Sequence, residues 1–316
     1  MYYFFGTLES LTVLVGISVI GFYVLSQKIL TEDALKFLST LAINIALPSL
    51  VFVNILKNFN PQNFPKWWHL PLWWIGFTLF AGIISIACST LCKKEIRREF
   101  ALCLFYQNAV FVALPIIVSL FGEDSIQTTA LFIFAVLYPS FVFTTYPLFF
   151  HKRSIEFNKN KVFNPVLVAT LAAISFKLAS IGSYVPEFVT EALGMVGDMT
   201  IPLVLMILGG SIYLDYRQKE KIQLQQVIKF ILIKNILFPI IALFAVSIIH
   251  PPYEVALLVV LQASVPPMTA APILIERMNG NKSVANQFLL GSFLVSLVTI
   301  PVIFYLFEYW IQIQKA

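Results

Sequence analysis

Two apolar stretches, each long enough to span a bilayer, carry proline at or near their centres. One is Glu254–Gly280, EVALLVVLQASVPPMTAAPILIERMNG, with Pro266 and Pro267. The other is Glu99–Gly122, EFALCLFYQNAVFVALPIIVSLFG, with Pro115. A proline removes a backbone donor and clashes with the preceding turn, so a helix breaks or kinks there. Hydrocarbon offers no water to the freed groups. A broken helix therefore survives at membrane depth only against protein or a water-filled cavity. The chain must fold so that both breaks are covered.

The two stretches also align with each other. At an offset of about 155 residues, Glu99 meets Glu254, Gln107 meets Gln262 and Val110 meets Val265. Beyond the prolines the offset grows to about 158, where Gly122 meets Gly280 and Ser125 meets Ser283. The polar and glycine matches point to an internal duplication. Composition agrees with a membrane chain: 316 residues, 59% hydrophobic and only 12% charged. Soluble domains are nearer 25% charged, and no soluble domain of useful size is expected. The net charge of +5 follows membrane topology and does not signal nucleic acid. Cys88, Cys92 and Cys103 are expected to be free packing thiols, without a disulfide framework or zinc spacing.

Runs of roughly 20 apolar residues predict ten spans: 8–26, 35–55, 67–91, 100–121, 126–150, 165–181, 192–214, 227–249, 255–278 and 284–310. The first has no basic segment before it and reads as a retained helix, not a signal peptide. Basic residues gather in alternate loops: Lys28; Lys93, Lys94, Arg97 and Arg98; Lys152, Arg153, Lys159 and Lys161; Arg217, Lys219 and Lys221; Arg277 and Lys282. Such loops stay cytoplasmic, which puts both termini outside. Trp67, Trp68, Trp73, Trp74 and Trp310 are expected at the outer interface. Five spans per copy means that the second copy enters from the opposite side. The expected fold is an all-α membrane protein of two inverted five-helix repeats, 1–150 and 165–316, joined by a cytoplasmic linker, 151–164. Inverted repeats with discontinuous helices near the midplane are the build of secondary transporters.

Polar residues beside the breaks are the candidate substrate contacts: Gln107, Asn108 and Pro115 in the fourth span, and Gln262, Ser264, Pro266, Pro267 and Thr269 in the ninth. Asn108 lies seven residues before Pro115, so a continuous helix would put both on one face. The alternative role for these amides and hydroxyls is interhelical hydrogen bonding. The second and seventh spans align at an offset of about 154, pairing Asn44 with Asp198 and Pro48 with Pro202. Each proline frees the carbonyl four residues before it, so Asn44 and Asp198 are candidates for an ion or proton site, or for healing a kink. Lys234, beside Asn235, is a third coupling candidate; snorkelling to the cytoplasm is the favoured reading of its position. His69, His151 and His250 are far apart and suggest no metal site. No nucleotide, zinc-protease or hydrolase fingerprint is present, so neither an enzyme nor a cofactor is expected.

Three passages carry a family resemblance: LAINIALPSLVF at Leu41–Phe52, QNAVFVALPIIVSLFG at Gln107–Gly122, and TIPLVLMILGGSI with ASVPPMTAAPILIERMNG in the second half. The chain resembles the auxin efflux carrier family of membrane transport proteins along essentially its whole length. The resemblance implies a fold similar to bile acid:sodium symporters, with spans 1, 2, 6 and 7 as a scaffold. Spans 3–5 and 8–10 form a core in which spans 4 and 9 cross at their breaks. It implies carboxylate substrates such as auxin, malate or malonate, with Asn108, Pro115 and Pro266 lining the site. The short 151–164 connection and the doubled Pro266-Pro267 point to a short prokaryotic type in a bacterial inner membrane.

The leading expectation is a secondary transporter of a small organic anion, coupled to a proton or sodium, or a facilitator driven by the substrate gradient. The partners are the lipid bilayer and the anion, with a homodimer compatible and nucleic acid excluded. The alternatives are a sodium-coupled symporter of the bile-acid type and a carboxylate sensor that does not transport.

Overall fold

The computed structural model describes residues 2–62, 64–150, 164–217 and 222–315. The expected linker, but for Asn164, lies outside the described residues, as do Lys219 and Lys221. The described residues are almost entirely helical. In chain order the α-helices are α1 (Tyr2–Ser26), α2 (Glu32–Leu41), α3 (Leu47–Asn58), α4 (His69–Ser89), α5 (Arg97–Phe105), α6 (Ala113–Phe121), α7 (Ile126–Phe134) and α8 (Tyr138–Thr145). There follow α9 (Pro165–Leu178), α10 (Glu187–Asp198), α11 (Thr200–Arg217), α12 (Leu224–Ile231), α13 (Phe238–Ile249), α14 (Tyr253–Ser264), α15 (Ala271–Arg277) and α16 (Lys282–Lys315). Side-chain caps mark the entries. Thr31, Ser125, Asn164 and Asn281 each accept a backbone N–H from three residues on, at 3.0–3.2 Å.

Several helices join into membrane-length rods. Glu32–Asn58, His69–Ser89, Glu187–Leu214, Leu224–Ile249 and Lys282–Trp310 are each long and apolar enough to cross a bilayer. Two of these rods pass through a π turn, at Ala42–Ala46 and at Leu232–Leu237. Each π turn lies just before a proline in the first turn of the next helix, Pro48 or Pro239. The ladder slips to five-residue bonds, Leu47 N–H to Ala42 O and Phe238 N–H to Ile233 O. The helix thus absorbs a missing donor without breaking. No healing amide is needed at Pro48, and Asn44 lies exposed in its π turn.

Close packing sets the arrangement. The longest contact joins α1 to α11. A Cβ at Gly209 would stand 1.7 Å from the Ser18 carbonyl oxygen, and one at Gly21 would stand 2.2 Å from that of Met206. Only glycine permits so close a backbone approach, the device by which helices associate in lipid. Elsewhere α3 packs on α9 and α10, α4 on α5 and α7, and α14 on α13. The long α16 lies along α12, α14 and α15. Phe230 and Phe288 stack at 4.5 Å, with Phe100 edge-on to both at 5.1 and 5.6 Å, which ties α5 to α12 and α16.

One end of the bundle gathers the basic turns. There Glu99 Oε1 accepts Asn281 N–H (2.8 Å), Gln226 Oε1 accepts Lys93 N–H (3.4 Å) and Arg217 pairs with Glu32 (3.5 Å). Cys88, Cys92 and Cys103 are free and buried. Trp74 departs from the expected interfacial belt: it is buried, edge-on to Phe141 at 5.4 Å and Tyr138 at 6.4 Å.

Gly209→Ala should lower the apparent melting temperature in detergent by several degrees, since overpacking costs about 1–3 kcal/mol. Gly194→Ala, whose Cβ meets nothing within 4 Å, should leave it unchanged. Equal melting of the two variants would contradict the close α1–α11 approach.

Candidate functional site

Helix α5 stops at Phe105 and α6 starts at Ala113; α14 stops at Ser264 and α15 starts at Ala271. The backbone leaves both helices extended, at Tyr106 (φ −92°, ψ 110°) and Val265 (φ −68°, ψ 149°). The two extended segments lie antiparallel and pair. Asn108 N–H donates to Pro266 O and Met268 N–H to Tyr106 O, both at 2.9 Å. Gln107 and Pro267 face each other across this bridge as its non-hydrogen-bonded pair. Pro267 thus occupies a position where no N–H is required. Each broken helix satisfies groups that the other has freed.

The break in the first stretch lies at Tyr106–Val112, upstream of the position expected from Pro115. Pro115 is the third residue of α6, and Pro272 the second of α15. First-turn donors have no intrahelical partner anyway, so these prolines mark helix restarts. Asn108 consequently belongs to extended backbone, and the helical-face argument linking it to Pro115 does not apply.

The side chains at the crossing are buried: Gln107, Asn108, Gln262, Ser264 and Lys234. The Gln262 amide donates to Ala109 O at 2.8 Å. The Tyr138 hydroxyl donates to Gln107 O, and Tyr106 shares a 2.7 Å hydrogen bond with Thr145. Ser264 turns back onto its own helix, donating to Val260 O at 2.7 Å. Thr269 is half-buried, as are Val110, Phe111, Met268 and Ala270 in the two breaks.

Lys234 does not snorkel. It is 0% exposed. Its Nζ donates to Ala263 O at 3.1 Å, lies 3.4 Å from Gln107 Oε1 and stands 4.7 Å above the centre of the Phe238 ring. The π turn that carries it faces the crossing, where the end of α14 offers a free carbonyl, so acceptors inside compete with the cytoplasmic surface. Asn235 fixes that turn by two hydrogen bonds with Ser292: Nδ2 donates to the carbonyl at 2.9 Å and Oδ1 accepts from the hydroxyl at 2.7 Å. Two amide groups, Gln107 Nε2 and Asn108 Nδ2, are buried without a hydrogen-bond partner. Among the described residues no carboxylate lies within ion-pair distance of Lys234. The crossing has surplus donors and a lysine amine.

Beside it lies a narrow crevice with a cavity volume of about 10 Å³, lined by Trp74, Phe77, Thr78, Ala81, Phe105, Tyr106, Gln107, Tyr138, Phe141 and Gln262. The α4 and α8 contributions were absent from the sequence-based site. Trp74, Thr78 and Ala81 recur at helical spacing, a signal of a shared face but not of what that face meets.

Asn44 and Asp198 are not brought to the crossing. Asp198 is exposed, at the last residue of α10, and its charge acts on Glu123 in the α6–α7 turn. That turn is held to α3 by Asn54, which donates to Glu123 O (2.7 Å) and accepts from Thr129 Oγ1 (3.0 Å). Burial, then Asp198 and Asp124, push the Glu123 carboxyl above its ordinary range, against the pull of Lys57.

Two outcomes follow. Gln262→Leu should leave the buried Ala109 carbonyl unpaired and cost about 1–3 kcal/mol of stability, read as a lower melting temperature. For Glu123 the folded state prefers the protonated form. Its stabilisation is complete at pH below the unfolded value and is lost as pH rises through the folded one. Glu123→Gln should therefore melt slightly above the parent at pH 7, with the gap closing below about pH 4. A gap that widens in acid would contradict this.

A profile of the membrane transport protein family matches residues 7–304. An uncharacterized transporter of Methanocaldococcus jannaschii, MJ1031, is 25% identical over 209 residues, 61% of this chain and 65% of that protein. The aligned region thus spans just under two thirds of that relative. Helices long enough to cross a bilayer, a crossing of two broken helices and a profile match over nearly the whole chain agree: the chain belongs to the membrane transport protein family, the auxin efflux carrier family of its sequence resemblance.

Proposed function

We propose that this protein is a secondary transporter that carries a small organic anion through the crossing by alternating access. The observation that carries this reading is the surplus of donors. A wholly enclosed lysine amine with no carboxylate partner among the described residues and two buried amide groups without acceptors are costly unless an acceptor arrives. A carboxylate supplies several acceptor sites and one negative charge. The N-terminus of α6 also opens onto the crossing and favours negative charge. Gln107, Asn108 and Lys234 would hold the carboxylate, with Gln262, Thr269 and the prolines shaping the backbone around it.

In this reading the chain makes ten traverses as two inverted repeats, with α5–α6 and α14–α15 as equivalent broken spans. The α1–α11 and α3–α9–α10 contacts suit a scaffold against which the crossing unit moves. The basic end is cytoplasmic, with both termini outside in the plasma membrane of a prokaryotic cell.

Reconstituted protein should take up radiolabelled malate, malonate or indoleacetate into liposomes. Asn108→Ala removes a buried donor that bonds nothing in the empty protein. Its melting temperature should match the parent. Carboxylate affinity should fall by about 10- to 150-fold, the equivalent of roughly 1.5–3 kcal/mol. Parental affinity in the variant would move the site away from Asn108. Loss of stability instead would make Asn108 an interhelical bond.

A further inference from the structure

We propose that Lys234 is the proton carrier of this transporter: its amine takes up one proton as the anion enters the crossing and releases it as the anion leaves. The proposal rests on the crossing being the anion site. With Asp198 away from the crossing, the group placed to couple a proton there is a lysine.

Lys234 is wholly enclosed. An isolated ammonium in such surroundings is expensive, and it either pairs or gives up its proton. Three N–H groups find one carbonyl at 3.1 Å, one amide oxygen at 3.4 Å and a ring face at 4.7 Å. These acceptors suffice to orient the group but bring no negative charge.

The surroundings supply no fixed counter-ion. On α12 the charged residue is Lys229, which reaches the Leu91 carbonyl at 3.3 Å. Helix α13 has no ionisable residue. On α14 the acid is Glu254, in the first turn and about 13 Å of helix from Ala263. Helix α16 carries Lys282 and Glu308 toward its ends, paired with Glu276 and Tyr253, and faces the π turn with Ser292. The crossing itself adds the phenols of Tyr106 and Tyr138, both already hydrogen-bonded. The Asn235–Ser292 pair holds the π turn so that the amine keeps facing the crossing.

The balance is simple. An amine, a proton from the open side and a carboxylate become an ammonium–carboxylate pair; only an N–H bond forms. On the other side the pair separates, the N–H bond breaks, and anion and proton leave together. Binding of the two must be reciprocal, each tightening the other. A monoanion would then cross without net charge.

The test uses purified wild-type protein in weakly buffered solution, with malate, malonate and indoleacetate as pre-neutralised probes. Proton uptake is read with an indicator dye and affinity by calorimetry across pH. Binding should take up about one proton per probe molecule, and affinity should weaken by up to about tenfold per pH unit where uptake occurs. Lys234→Arg, whose charge is permanent, should bind with neither proton uptake nor this pH dependence. Binding by wild type without proton uptake overturns the proton role and leaves the anion site standing. Undiminished uptake in Lys234→Arg assigns the proton elsewhere and overturns it as well. No binding of any probe by wild type overturns the anion site and this proposal together. The wild-type proton count decides the matter even if the variant does not fold.

Discussion

A backbone amide in hydrocarbon must find a partner within the protein, and two interrupted helices create a shared shortage of partners. The structure meets it by laying Tyr106–Asn108 antiparallel to Pro266–Met268. Neither segment is stable at that depth alone; together they make a two-bond bridge. The tolerated proline follows from the same geometry, because the non-hydrogen-bonded pair of an antiparallel bridge asks nothing of Pro267. Gln262 adds a third link by covering the Ala109 carbonyl.

Everything chemical at the crossing depends on that pairing. It brings the end of α14 under Lys234, which bonds the Ala263 carbonyl, and it sets Gln107 between the lysine amine and the Tyr138 hydroxyl. Buried polar groups are normally satisfied. Two of the exceptions, the amide groups of Gln107 and Asn108, sit on the bridge, and Gln107 reaches Lys234. Their common chemistry is donation, and an acceptor-rich anion answers it. The same low dielectric that makes the empty site costly makes its occupation favourable.

The sequence made the membrane class and the existence of two breaks legible, because long apolar runs and central prolines have few other meanings. It did not reveal where the first break begins. Pro115 looks like the interruption, yet a proline in the first turn of a helix loses no bond, and the unwinding lies upstream at Tyr106–Val112. Pro48 and Pro239 interrupt nothing, since π turns absorb them. Gln107, Asn108 and Gln262 were legible as polar residues beside a break; Ser264 has the same signature but spends its hydroxyl on Val260. Lys234 was read as snorkelling because reach along one helix is visible in a sequence and a carbonyl offered by another helix is not. The aromatic wall of Trp74, Tyr138 and Phe141 was hidden for the same reason. Asn44 and Asp198 share a spacing to proline, but spacing does not say which face meets a neighbour.

The central claim is that the crossing is where the anion binds, and thiol protection tests it most directly. Val110 lies half-buried two residues beyond Asn108 in the first break, whereas Lys66, in the turn before α4, is exposed. A single cysteine would be placed at either position in a background lacking Cys88, Cys92 and Cys103, and its reaction with a small charged thiol reagent followed. Malate, malonate or indoleacetate should slow labelling at 110 in proportion to occupancy of the site and leave labelling at 66 unchanged. Labelling at 110 that proceeds at the same rate with saturating carboxylate would contradict the account.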